Sequence, residues 1–135
     1  MKSRSVLREE IIKILYQVYI YEKNNLSYNI DNIIKDNYEQ DNEFINDSVK
    51  GIIKNKKEIE SIANKYLKDW DIDRLSLVDK AIISLGIYEL KYTDTPNIIC
   101  INEAIELAKK YSDEKVIKMI NASLDAYYHS EIEEQ

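Results

Sequence analysis

The stretch SLVDKAIISLGIYELK, residues 76–91, carries apolar side chains on nearly every side of a helix. At about 100° per residue, Val78, Ala81, Ile82 and Leu85 fall on one side and Ile83, Ile87 and Leu90 on another. Lys80, Ser84 and Lys91 share a narrow polar strip between them. A helix that is apolar nearly all round has little face to give to water, so it belongs at the centre of a bundle. Gly86 costs about 1 kcal/mol against alanine inside such a helix, and it predicts a neighbour that approaches closely.

The rest of the 135 residues reads the same way. Two glycines, Gly51 and Gly86, and one proline, Pro96, are too few for strands joined by tight turns. The expected fold class is all-α, as one domain over residues 1–130 followed by a frayed acidic tail over 131–135. A first helix over 3–22 turns Leu7, Ile11, Ile14, Leu15 and Val18 inward, and a second near 27–38 buries Ile30, Ile33 and Ile34. Residues 41–67 form one long helix or two in series, with Phe44, Ile45, Val49, Ile52, Ile53, Ile59, Ile62 and Ala63 inside. Trp70 anchors a short capped turn. Pro96 opens a helix over 97–111 whose apolar arc holds Ile98, Ile101, Ala104, Ile105, Leu107, Ala108 and Tyr111. Asn102 and Glu103 sit on the borders of that arc, where half-buried polar groups brace neighbouring backbone or helix ends. A last helix over 113–130 buries Val116, Ile120, Leu124 and Tyr127, with Lys115, Lys118, Ala122 and His129 on its other side.

Charge is unevenly distributed. The formal net charge is −6, but residues 31–47 hold six acids against one lysine and residues 125–135 hold four acids with no Lys or Arg. What remains is net positive, and screening over about 8–10 Å makes the local balance the relevant one for a bound phosphate. Cys100 is the only cysteine, so no disulfide framework exists and a reducing compartment is expected. The amino end, MKSRSVLREEIIK, has acids where a signal peptide needs an apolar run, and no stretch reaches the roughly 20 apolar residues of a membrane span. The expected location is cytoplasmic. One histidine, His129, one inward cysteine and no glycine-rich phosphate loop leave no constellation for catalysis, a metal or a cofactor.

Three blocks carry a resemblance: RLSLVDKAIISLGIYEL (74–90), PNIICINEAIELAKKYS (96–112) and KMINASLD (118–125). With LREEIIKILYQ (7–17) as the first helix, the whole chain resembles the NusB family of bacterial transcription antitermination proteins. The resemblance implies two three-helix subdomains and pairing with ribosomal protein NusE. It also implies binding of boxA RNA within the RNA polymerase antitermination complex, with read-through of ribosomal RNA operons. It departs from the family pattern in keeping only Lys2, Arg4 and Arg8 of a richer basic cluster, and in Ala122 where the family favours glycine.

Arg4 and Arg8 lie four apart and project from one face of the first helix beside Lys2, where guanidinium groups suit phosphates and unpaired bases. The competing reading is that these arginines pair with acids. Lys115 and Lys118 extend an RNA track or form an ordinary solvated face, and the denser run Lys50, Lys54, Lys56 and Lys57 favours the solvated reading. By resemblance, Tyr16, Asp79, Lys80, Tyr88 and Glu103 form the partner-protein surface, with burial as the other reading for Tyr88. Glu89 is expected in a buried pair, with Arg74 as the candidate partner. The expected function is a non-catalytic RNA-binding adaptor. The alternatives are a helical scaffold that self-associates or binds only protein, and a domain of the kind fused to ribosomal RNA cytosine methyltransferases.

Overall fold

The computed structural model describes residues 2–133. Seven α-helices run in order, and no strand occurs among these residues: α1 (Arg4–Lys23), α2 (Ile30–Asn37), α3 (Glu43–Lys54), α4 (Lys56–Tyr66), α5 (Leu77–Tyr92), α6 (Asn97–Tyr111) and α7 (Glu114–Tyr127). A short 3-10 turn, Ile72–Arg74, precedes α5 and a π-helical turn, Tyr128–Ile132, follows α7.

Short polar side chains set most of the starts by accepting from otherwise unpaired backbone N–H groups. Ser3 caps α1 through the Val6 N–H, Asn29 caps α2 through Asn32, Asn42 caps α3 through Ile45, and Ser76 caps α5 through Asp79. Asp113 does the same for α7 through Val116. The 41–67 stretch resolves into two helices in series. Asn55 breaks them: its backbone N–H and its side-chain amide both donate to the Gly51 carbonyl, at 3.0 and 2.8 Å.

α1, α2 and α3 pack on one another, α4, α6 and α7 gather on the other side, and α5 is shared by both groups. Every residue of α5 from Asp79 to Leu90 is buried. Of the narrow polar strip, Lys80 and Ser84 go inside, and only Lys91 reaches out, to Glu58 at 2.7 Å. Gly86 has the predicted close neighbour, since a Cβ there would stand 2.8 Å from a methyl of Leu124. A Cβ on Gly51 would meet the Tyr88 ring at 2.5 Å, so this glycine lets α3 lie against α5.

Two expectations about the surface change. Ile98 is 65% exposed and Tyr111 43%, so the apolar arc of α6 is narrower than its periodicity suggests and centres on Cys100, Ile101, Ala104, Leu107 and Ala108. The end of the chain is not frayed through Glu133. The Tyr66 hydroxyl and the Lys65 ammonium both donate to Glu131, and Ile132 packs against the core. Glu134 and Gln135 lie outside the described residues.

Candidate nucleic-acid interface

The amino end of α1 places its cations in two different environments. Arg4 is exposed, with its guanidinium 4.6 Å from the centroid of the Phe44 ring on α3. Lys2, also exposed, stands 5.2 Å from the Tyr38 ring. Neither is in an ion pair among the described residues. Both rest on aromatic faces, which attract a cation without neutralising it.

Arg8, one turn later, is 3% exposed, with its guanidinium 5.5 Å from the centroid of the same Phe44 ring. Its Nε and Nη2 donate to the two carboxylate oxygens of Glu89 on α5, both at 2.9 Å, and its Nη1 donates to Glu103 on α6 at 3.2 Å. This corrects two expectations. Arg8 is not an open phosphate ligand, and the partner of Glu89 is Arg8, not Arg74, which is exposed. Burial alone would lower the Arg8 pKa, but the hydrogen bonds and charge of Glu89, then the charge of Glu103, outweigh it and hold the pKa above its ordinary value. The arginine stays charged, and three helices are tied through it.

Glu103 thereby finds its role. It is 22% exposed and accepts from both Arg8 and the Ser5 hydroxyl, so it braces the first turn of α1 against α6. Asn102 stays exposed. Glu9 is turned away from the arginines: it accepts from the Tyr111 hydroxyl and, at 2.9 Å, from Lys110. Those hydrogen bonds hold Glu9 below its ordinary pKa, and the same contact pushes Tyr111 up to about 12.

Lys115 and Lys118 project from the outer face of α7. Lys115 lies 5.4 Å from the Trp70 ring centroid, and Lys118 is 78% exposed with only a loose contact to Glu114 at 3.8 Å. Trp70 adds an aromatic surface here, beyond the turn-anchoring role expected from its position in the chain. The run from Lys50 to Lys57 looks like a solvated face, with Lys50 paired to Asp31 at 2.7 Å and Lys56 to Glu22 at 3.0 Å.

Of the residues expected to meet a protein partner, only Tyr16 is well exposed, at 40%. It borders a groove of about 310 Å³ with Ile12, Lys13, Val78 and Tyr111. Asp79 is buried and accepts from the Ser112 hydroxyl, which closes the end of α6 onto the start of α5. Lys80 is buried between Glu60 (3.5 Å) and Asp73 (3.2 Å), over the Tyr19 ring. Tyr88 is buried over Gly51 and donates to the Asp47 carbonyl at 3.2 Å. These three side chains are occupied within the fold, a correction to their expected role as an open contact patch.

The pattern of the NusB family matches residues 5–129. The chain belongs to that family. It is 44% identical over 125 residues to the transcription antitermination protein NusB of Listeria monocytogenes serotype 4a, covering 92% of this chain and 94% of that relative. Among solved structures, T. maritima NusB superposes with a TM-score of 0.82 at 29% identity, covering 96% of this chain and 92% of the other. A NusB crystallised with NusE, both antitermination factors, in complex with dsRNA gives a TM-score of 0.78 at 27% identity, covering 93% and 96%. The family pattern thus covers α1 from Ser5 onward and the Tyr16 groove of this chain.

Proposed function

We propose that this chain is a non-catalytic antitermination adaptor that binds boxA RNA together with ribosomal protein NusE and promotes read-through of ribosomal RNA operons by RNA polymerase in the cytoplasm. Family membership supports the activity, and the relative crystallised with NusE and dsRNA supports the partners. Among the described residues, no helix is long and apolar enough to cross a membrane.

One observation carries the RNA surface: the unpaired Arg4 guanidinium held over Phe44, with Lys2 over Tyr38 beside it. Cations at a helix amino end oppose the macrodipole, so helix stability does not explain them. A guanidinium lying on a ring can accept a phosphate on its edge or a stacked base on its free face. Lys115 and Lys118, with Trp70 alongside, supply a second basic and aromatic patch for the same strand. Arg8 positions the first turn of α1 without touching RNA, and the Tyr16 groove receives NusE. Glu103 acts through its hold on Ser5.

Filter binding of the protein–NusE mixture to boxA RNA and to a scrambled RNA is the direct test. The adaptor reading requires preference for boxA, weakened by Arg4→Ala. Equal binding to both RNAs, untouched by that substitution, would favour a protein-only scaffold.

A further inference from the structure

An open cleft of about 900 Å³ lies between the start of α1, α3 and the α5–α6 connection. Its apolar lining includes Phe44, Tyr88, Tyr92 and Ile99, and Tyr92 and Ile99 are substantially exposed at 36% and 42%. Around that lining stand Glu43, Asp47 and Asp94, all exposed and none in an ion pair among the described residues. Arg8 and Glu103 also reach the wall, but they are bound to each other and, through Arg8, to Glu89. The cleft therefore presents three unpaired carboxylates against the single open guanidinium of Arg4.

That balance discriminates between occupants. A nucleic-acid backbone would bring phosphates against three carboxylates with one cation to offset them, which local electrostatics disfavours. A cationic side chain gains from the same field, and an arginine can also stack on the exposed Tyr92 ring. The volume exceeds what one side chain fills, and the exposed Tyr92 and Ile99 suit a neighbouring aliphatic residue. We propose that this cleft docks a basic peptide segment of a protein partner, an extended stretch with arginine or lysine next to an apolar side chain. The site is separate from the Tyr16 groove and shares Arg4 and Phe44, at its rim, with the proposed RNA surface.

The test uses the full-length protein labelled with 15N and titrated with the blocked peptide acetyl-Arg-Leu-Arg-amide, followed by amide shifts. Saturable shifts at Phe44, Thr93, Asp94 and Ile99 are expected. Asp47→Asn with Asp94→Asn should weaken binding about fivefold, the scale of two exposed charge pairs. Neither carboxylate makes a hydrogen bond among the described residues, so the fold should survive, with melting unchanged. Removing the same charge on the acidic α2 side, by Asp36→Asn with Glu39→Gln, should leave peptide binding as it was. Absence of shifts in the cleft overturns the proposal. Equal weakening by the α2-side pair does so too, since binding would then follow net charge alone. A uridine hexanucleotide that shifts Thr93, Asp94 and Ile99, away from the Arg4 rim, at lower concentration than the peptide would reassign the cleft to RNA.

Discussion

Arg4 and Arg8 are the same residue type, one helical turn apart, yet one lies open on a phenylalanine ring and the other is locked between two carboxylates. The difference comes from what α1 meets at each level. Phe44 on α3 lies beside both guanidinium groups, but only Arg8 reaches the carboxylates of Glu89 on α5 and Glu103 on α6. A buried guanidinium without partners would be very costly, while an exposed one costs little and stays available. Spacing along one helix thus says which residues share a side, not which side chains remain free.

The largest test of that contrast breaks the buried half. Glu89→Gln leaves Arg8 charged and short of its main partner, and should cost about 3–5 kcal/mol in urea unfolding. Replacing both with methionine should recover a large part of the loss. If Glu89→Gln proves as mild as a surface change, the clamp contributes little and the contrast fails.

Tyr16→Ala acts on an exposed ring and should leave unfolding nearly unchanged, yet weaken NusE binding by at least about 1 kcal/mol if the ring is a hot spot. Calorimetric titration with NusE reads this directly. For the open arginine, Arg4→Ala should change stability by no more than about 0.5 kcal/mol. The slope of log binding constant against log salt for single-stranded boxA RNA should become shallower by about 0.7 for each phosphate left without its cation. An Arg8→Lys variant that keeps its fold should leave that slope as in the parent protein.

The smallest expected effect is a pH dependence. Glu9 has its folded pKa lowered by the Tyr111 hydroxyl and Lys110. Its contribution to stability is therefore present above the ordinary carboxylate value and is lost as pH falls through the lowered one. Tyr111→Phe removes the leading cause, so the acid side of the stability curve should flatten slightly, as measured by urea unfolding across a pH series.

The helices were legible because their signals are local. Apolar periodicity marked α5 as central, and Gly86 announced the approach of Leu124. The joint at Asn55 was left open by periodicity because apolar positions continue in phase across it. The candidate sites were less legible, because their side chains are committed by residues far along the chain. Glu89 is 81 residues from Arg8, and Ser112 is 33 from Asp79. Lys80 is expected in a narrow polar strip and on the partner surface, whereas α4 and the turn before α5 supply Glu60 and Asp73 to it. Charge pattern on one helix cannot reveal a counter-ion that only the tertiary fold delivers.

Cys100 has a practical consequence. Its thiol is sealed inside α6, and burial, followed by the nearby Glu89 charge, pushes its pKa up to about 12. Thiolate is the species that alkylating reagents attack, so at neutral pH this native sulfur should stay inert in the folded protein. A cysteine introduced at Lys118, on an open face, would then take a maleimide dye selectively, giving a single-site fluorescent reporter without first removing the native residue.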